Sequence, residues 1–475
     1  MLEKLLSGGQ DFIHKDYKNL QTKISFWKAS YRCDSDLLQE KDAHSRPILT
    51  QFSCEPSQDY EYRKKVTKPR AHVGNILSKM NGYIFRNPPS RSLSTPAFLD
   101  FVRTASLKGD PLDKVIKKAL LDAQIEGCSY LVADNTNTTA EQKTLAQARA
   151  EGDRPFVRVV SRESVLNWVE NDGYLTEAIV LYQNTDGQFF IRHYTDLTIQ
   201  DFLLDDSLKI VSSGALLSHG YASIPIVRLK PDFATNSQCE SLAELQQELT
   251  FWLSLLAVEG TKSVYTLHTF TGTPPPPEQD GKRLNVSMGT NSIIYLGEEG
   301  SLGRIGAETS ASTALMEIIS KVEQALYRQA GMASGDPFAT NQPQSGLSKL
   351  FDQKDLASVL ITLADAAEHA ENQIIKLLFN PSENQVSFYD KSFDLATYTD
   401  QLSEVEQTIE MKLPNVLKRQ TIDELMNKHF SLTEEEQSEY EAQLLMLYPN
   451  EQEEPVTPDI TTQTLPEEGV TITEE

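Results

Sequence analysis

Apolar residues recur at helical spacing in the first ninety residues and again after residue 240. Between those two regions they alternate in the manner of strands. In residues 1–91 the positions Val73, Ile76, Leu77 and Met80 lie three or four apart, which predicts a helix ending near Gly82, and Asn87-Pro88-Pro89 blocks its continuation. Leu112, Val115, Ile116, Ala119, Leu120 and Ala123 form a second helical stripe, stopped by Gly127. Residues 129–132 then read as a strand ending at Asp134, 135–152 as a polar loop with a short surface helix, and 156–160 as a strand. Four β-rich runs follow, 175–182, 188–194, 197–203 and 208–212, separated by turns such as Asp186-Gly187; together they predict an antiparallel meander. Ile224-Pro225-Ile226-Val227 is expected to close that meander, with Pro225 at an edge or a strand start.

From residue 240 long helices take over. Residues 240–265 carry Leu242, Leu245, Leu249, Trp252, Leu253 and Leu256 on one face, and residues 311–330 carry Leu315, Ile318, Ile319, Val322 and Leu326 in register. Between them, 266–310 read as a non-helical insert with the proline run Pro274, Pro275, Pro276 and Pro277 and a short strand over 292–296. A polar loop over 331–346, glycine at each end, precedes a third long helix at 347–379, striped by Leu350, Phe351, Leu356, Val359, Leu360, Leu363, Ala367, Ala370, Ile374 and Leu377. A short strand over 386–389 and helices over 398–411, 421–429 and 434–446 complete the pattern, with Pro414 between the first two and Ser431 or Thr433 capping the last. The fold class is α+β.

Composition adds constraints. The chain has 475 residues, 68 acidic and 44 basic, a formal net charge of -24. That balance argues against a protein that coats nucleic acid, whose affinity comes from cations neutralising phosphates. Residues 449–475 hold eight of the acidic residues, four prolines and no basic residue, and read as a disordered acidic tail. One basic cluster lies between 62 and 91, at Arg63, Lys64, Lys65, Lys68, Arg70, Lys79, Arg86 and Arg91. They form either a solvated helix face or a surface that pairs with an acidic neighbour. Cys33, Cys54, Cys128 and Cys239 are far apart and read as small buried apolar residues in a reducing cytoplasm, not as a disulfide framework or metal site. No signal peptide is read at the start, and the most apolar stretch, 251–258, is far short of the ~20 residues a bilayer needs.

Candidate chemistry is sparse. There is no phosphate-cradling GxxxxGK[ST], no GxGxxG, no HExxH and no histidine pair at metal-ligand spacing. Ser334, in Gly331-Met332-Ala333-Ser334-Gly335, has the wrong spacing for a nucleophile elbow. His369 beside Glu368 and Glu371 reads as part of a solvated face. No catalytic residue, metal site or cofactor is assigned.

The order of elements, together with 75–88 ending in Gly82-Tyr83-Ile84-Phe85-Arg86-Asn87-Pro88, residues 127–134, Arg154-Pro155-Phe156 followed by Asn167-Trp168, and Pro225-Ile226-Val227, resembles the portal proteins of tailed bacteriophages from about residue 27 to 446. The resemblance implies an elongated subunit with a wing over 1–239, stem helices at 240–265 and 311–330, a clip at 266–310, a tunnel loop at 331–346, a long wing helix and strand at 347–400, a helical crown at 401–448 and the acidic tail. It implies a ring of about twelve subunits at the capsid vertex of the virion, assembled in the host cytoplasm, through which double-stranded DNA passes without specific or tight binding. It also implies partners: the terminase large subunit and later a head–tail adaptor at the clip, and the major capsid and scaffolding proteins. No membrane is involved. Carried onto this chain, the tunnel loop offers Asp336, Asn341, Gln342, Gln344 and Ser345 to the channel. The clip offers Pro274 to Pro277, Glu278, Asp280, Lys282 and Arg283 to a partner. Leu249, Trp252, Leu253, Leu256, Leu315, Ile319 and Val322 pack the stem. Each segment also has a plainer reading: a monomeric core helix for the stem, a surface loop for the tunnel loop, a hairpin tip without a partner for the clip. The rival functions are another ring-forming scaffold and an α+β enzyme with an unrecognised site.

Overall fold

A computed structural model of the chain describes residues 12–135, 153–171, 174–184, 187–205, 209–232, 236–264, 267–271, 278–279, 282–283, 301–305, 309–332, 346–383, 385–393, 409, 414–429 and 434–449. The fold is mixed helix and sheet, of the α+β class. It divides into two compact units, Met1–Phe393 and Asp394–Glu475.

The first unit begins with α1, Tyr17–Arg32, which buries Ile24, Phe26, Trp27 and Ala29. Two short helices follow, α2 at Ser57–Val66 and α3 at His72–Ile84. Pro69 lies between them, and α3 runs two residues past the expected stop at Gly82. Val73, Ile76, Leu77 and Met80 are all buried. After β1, Ser90–Arg91, and α4, Pro96–Arg103, comes α5, Leu112–Glu126, whose predicted stripe is entirely buried. Gly127 ends α5 at φ 87, and a Cβ there would stand 2.0 Å from the Asn236 carbonyl oxygen, so a side chain is excluded by both conformation and space.

Strands β2, Ser129–Asn135, and β3, Pro155–Ser161, pair antiparallel. The meander is β4, Val165–Asn171, β5, Tyr174–Gln183, β6, Phe189–Tyr194, β7, Thr198–Leu204, and β8, Ile210–Ser213, with β9, Leu217–Ser218, also on β7. Strand β4 is not foreseen in the sequence; register shifts at Val165/Asn167 and Val169/Glu170 break its alternation. Strand β10, Ile226–Leu229, corrects an expectation: it pairs with β2, Ile226 opposite Val132, and does not close the meander. Its Ile226, Val227 and Leu229 are all buried, which suits a strand enclosed on both faces. Pro225, lacking an N–H, sits just before it and accepts from Ala133 N at 2.9 Å. The meander is also apolar on both faces. Ala178, Val180 and Tyr194 join Tyr130, Val132 and Val160 in one cluster, while Ile179, Ile191, Phe202 and Leu204 pack with Phe12 in another.

Three long helices follow: α6, Gln238–Val264, α7, Thr309–Gln329, and α8, Gly346–Phe379. At 1.5 Å per residue α8 is about 50 Å long. Leu356, Leu360, Leu363, Ala364, Ala367, Ala370 and Ile374 are buried along it, and Phe379 packs against Phe98 and Phe101 at ring separations of 5.5 and 5.2 Å. Strand β15, Ser387–Phe388, pairs with β1.

In the second unit, α9, Asn415–His429, starts directly after Pro414, six residues before the expected 421; proline is well suited to open a helix because its missing N–H would be unpaired there. Helix α10, Glu434–Leu447, matches its expected range. Tyr440 donates to Asp423 Oδ1 at 2.9 Å, joining the two. The expected loop over 136–152, the strand over 292–296, the helix over 398–411 apart from Ile409, the caps Ser431 and Thr433, and the tail beyond 449 lie outside the described residues. Of the cysteines, Cys128 and Cys239 are buried as expected, Cys33 is partly covered, and Cys54 is exposed, on a turn where Glu55 N donates to Phe52 O.

Candidate functional site: a helix pair and what it carries

Helix α6 is fastened to the body at its first turn. Ser237 Oγ lies 2.9 and 2.7 Å from the carbonyl oxygens of Gln124 and Ile125 at the end of α5, and accepts from Cys239 N at 3.0 Å. Gln124 Nε2 donates to Gln238 Oε1 at 3.0 Å, and Lys23 on α1 pairs with Glu240 at 3.2 Å. Two turns on, Gln246 Nε2 donates to Arg70 O at 2.6 Å. Arg63, read from the sequence as one of a surface cluster, is buried: its Nε and Nη2 hold Glu55 in a two-pronged pair at 2.8 Å each, Nη2 also reaches Thr50 O, and Nη1 donates to Ser254 Oγ at 3.0 Å. Such a pair resists replacement of one member, since a lone buried charge is costly.

Beyond Ser254 the environment changes. Leu242, Ala243, Leu249, Thr250, Leu253 and Ser254 are buried, but Leu255, Leu256, Ala257 and Val258 are each only partly covered, on successive positions that point around the whole helix. Helix α7 packs along α6. It buries Ile319, Val322 and Leu326, and leaves Leu315 partly covered and Met316 58% exposed. The seven residues expected to pack the stem therefore separate. Leu249, Leu253, Ile319 and Val322 belong to the core of the chain itself, whereas Trp252, Leu256 and Leu315 are partly open.

The insert between the helices rests on two antiparallel strands, β11, Leu267–Thr271, and β14, Ser301–Ile305. A small hairpin joins β12, Glu278–Gln279, to β13, Lys282–Arg283, with Glu278 opposite Arg283. Pro274 to Pro277 and Asp280 lie outside the described residues. So do Asp336, Asn341, Gln342, Gln344 and Ser345 of the loop after α7. Its first residue, Gly331, is described, at φ 68 with its α-carbon against the Asp355–Leu356 backbone of α8.

Glu371 on α8 was expected on a solvated face with Glu368 and His369, and is instead fully buried. It accepts from Arg91 Nε, Ser387 Oγ and Tyr389 Oη, each at 2.7 Å, while Arg91 Nη2 donates to Asp113 at 2.5 Å. Burial opposes the Arg91 charge, but Glu371 and Asp113 outweigh it and the guanidinium titrates above its usual range. Burial, then Glu371, pushes the Tyr389 phenol well up. Glu368 accepts from Lys391 Nζ at 2.9 Å, and His369 alone of the three is exposed. A helical period marks Glu371 as core-facing, one turn from Ala367 and Ile374, and that signal was available in the sequence. The depression lined by Arg192, Ile199, Asp201, Gly214, Ala215 and Leu217 holds about 120 Å³, and its two charged groups pair with each other at 2.6 Å. No group of three or more His, Cys, Asp or Glu among the described residues could hold a metal, and no helix among them is long and apolar enough to cross a membrane.

The chain matches no protein-family model and no curated protein. Among solved structures it is similar to a chain of the neck of a native GTA particle computed with C12 symmetry (TM-score 0.44, 9% identity, covering 76% of this chain and 89% of that one). It is also similar to a chain of the neck of an empty GTA particle computed with C6 symmetry (TM-score 0.44, 10% identity, 78% and 94%). A third is in the virion of a native gene transfer agent (GTA) particle (TM-score 0.41, 10% identity, 76% and 90%).

Proposed function

We propose that this chain is the subunit of a portal-type ring, a channel for double-stranded DNA at one vertex of a phage-like capsid. The observation that carries the reading is the outer half of α6. Phe251, Trp252, Leu255, Leu256 and Val258, all only partly covered, lie along one broad face of the helix, opposite buried Leu253 and Ser254, and leave apolar surface along that face. Side-by-side copies in a closed ring would cover that remainder, each subunit using two different faces. The insert carried at the far end of α6 and α7 is then the clip, where Glu278, Lys282 and Arg283 offer both signs of charge to a terminase and later an adaptor. The loop after Gly331, with Asp336, Asn341, Gln342, Gln344 and Ser345, lines the channel. The acidic balance of 68 against 44 supports a conduit over a binder, because few phosphates would be neutralised and held. In this reading the chain has no catalytic role of its own.

Electron microscopy of the purified full-length protein, with its mass measured in parallel, tests this. Rings of about twelve subunits around a central hole are expected. A monomer that persists when capsid and scaffolding proteins are co-expressed would end the proposal.

A further inference from the structure

Helices α6 and α7 each carry a charged stripe on the side away from what they bury. On α6, Glu244 and Glu248 are exposed, and Trp252, Leu255 and Glu259 continue the same face, opposite buried Gln246, Thr250 and Leu253. Trp252 Nε1 donates to Glu248 Oε1 at 3.3 Å. On α7, Glu317, Lys321 and Arg328 are exposed, opposite buried Ile319, Val322 and Leu326. Lys321 and Arg328 have no ion pair among the described residues. Two markers set the level of one helix against the other. Arg70 O accepts from Gln246 Nε2 at 2.6 Å, and Arg70 Nη1 donates to Glu323 Oε1 at 2.7 Å. At the far end β11 follows α6 and β14 precedes α7, and they pair antiparallel with Leu267 opposite Ile305. The two helices therefore run antiparallel, and the markers agree to within one turn. They bring Lys321 level with 248–251 and Arg328 level with 241–244. Glu317 is level with 252–255, where α6 has Trp252 and Leu255.

We propose that Lys321 and Arg328 on α7 of one copy pair with Glu248 and Glu244 on α6 of a second copy, forming a charged seam beside Trp252 and Leu255. This rests on the ring reading above and names the two faces that meet. With the helix pair standing along the ring axis, rotation carries each residue to a place at the same height, so neighbouring copies join residues that are level. The two cations are level with the two carboxylates, on faces that α6 and α7 do not use for each other. Glu317, the acid of the α7 stripe, falls a turn beyond Glu248, against Trp252 and Leu255. A two-fold contact of the α6 stripe with itself would instead set carboxylate against carboxylate, which opposes association. Apolar neighbours that exclude water make such pairs stronger than ion pairs on a free surface.

The test compares full-length parent and variants by analytical ultracentrifugation and electron microscopy, in the conditions in which the parent assembles, with thermal melts checking the fold. Glu248→Lys and Lys321→Glu are each expected to raise the concentration for half assembly at least about tenfold. The variant carrying both changes is expected to return to within about threefold of the parent. Parent rings together with single variants that assemble like the parent, or with a double variant no better than either single, overturn the pairing, keep the ring and leave the stripes to another occupant. A parent that forms no ring in any condition overturns the ring reading and the pairing together. Should either single variant lose its fold, Glu244→Lys, Arg328→Glu and their double variant decide by the same comparison.

Discussion

Arg91, in the two-residue strand β1, donates from Nε to Glu371 on α8 at 2.7 Å across 280 residues of chain. The same carboxylate holds Ser387 Oγ and Tyr389 Oη, so β1, β15 and the longest helix meet on one buried anion. A fully satisfied buried carboxylate of this kind adds little net stability but makes the loss of its cation expensive.

Arg91→Ala is accordingly expected to destabilise the first unit by about 3–5 kcal/mol, since it leaves Glu371 charged and buried. Glu371→Gln, which keeps shape and two of the hydrogen bonds, should cost less than Arg91→Ala. Urea unfolding of both variants checks the order; equal losses would show that packing, not charge, governs the site.

Asp122 gives a prediction of opposite sign. Burial first, and then Glu126 one turn away, raise its carboxyl to about 6. Its folded value lies above the unfolded one, so the protonated form is favoured by folding. The associated stability is present below pH ~4 and is lost as pH rises through about 6. Above that pH the ionised group costs about 2–3 kcal/mol. Asp122→Asn should therefore be the more stable protein at pH 7.5 and indistinguishable from the parent near pH 4, as read by thermal melts across that range.

The long helices were legible because their stripes repeat without interruption; α6, α7 and α8 stand where Leu249, Ile319 and Leu360 placed them. The partner of β10 was not legible. Pairing with the nearest meander strand and with β2 are equally allowed by Ile226 and Val227, and only the enclosing layers decide. Nor was the buried state of Arg63, because a helical period marks a position but not whether an acid such as Glu55 waits there. On α6, Leu253 and Leu256 are apolar alike in the sequence; which of them the chain covers by itself is a property of the assembled fold.

Gly331 closes α7 with a positive φ of 68 and with its α-carbon against α8, where an added Cβ would stand 3.3 Å from Leu356 N. Gly331→Val meets both a β-branched conformational penalty and a tight backbone neighbour. A loss of about 1–3 kcal/mol is expected, seen as a lower urea midpoint, while Gly82→Ala on α3, where nothing lies within 4 Å of the added carbon, should be neutral or slightly stabilising.

The two halves of α6 allow the ring proposal to be separated from ordinary folding. Leu253 is buried within the subunit, so Leu253→Ala should cost about 2–5 kcal/mol of stability. Leu256 is partly open, and in the proposed ring it would face a neighbouring copy. Leu256→Glu should therefore leave the monomer's melting temperature within a few degrees of the parent while abolishing assembly, because a charge would be trapped without a partner at the subunit boundary. Analytical ultracentrifugation beside a thermal melt makes the comparison. If Leu256→Glu assembles as well as the parent, the open face of α6 is not the ring contact; if it unfolds as readily as Leu253→Ala, that face belongs to the core of a single subunit.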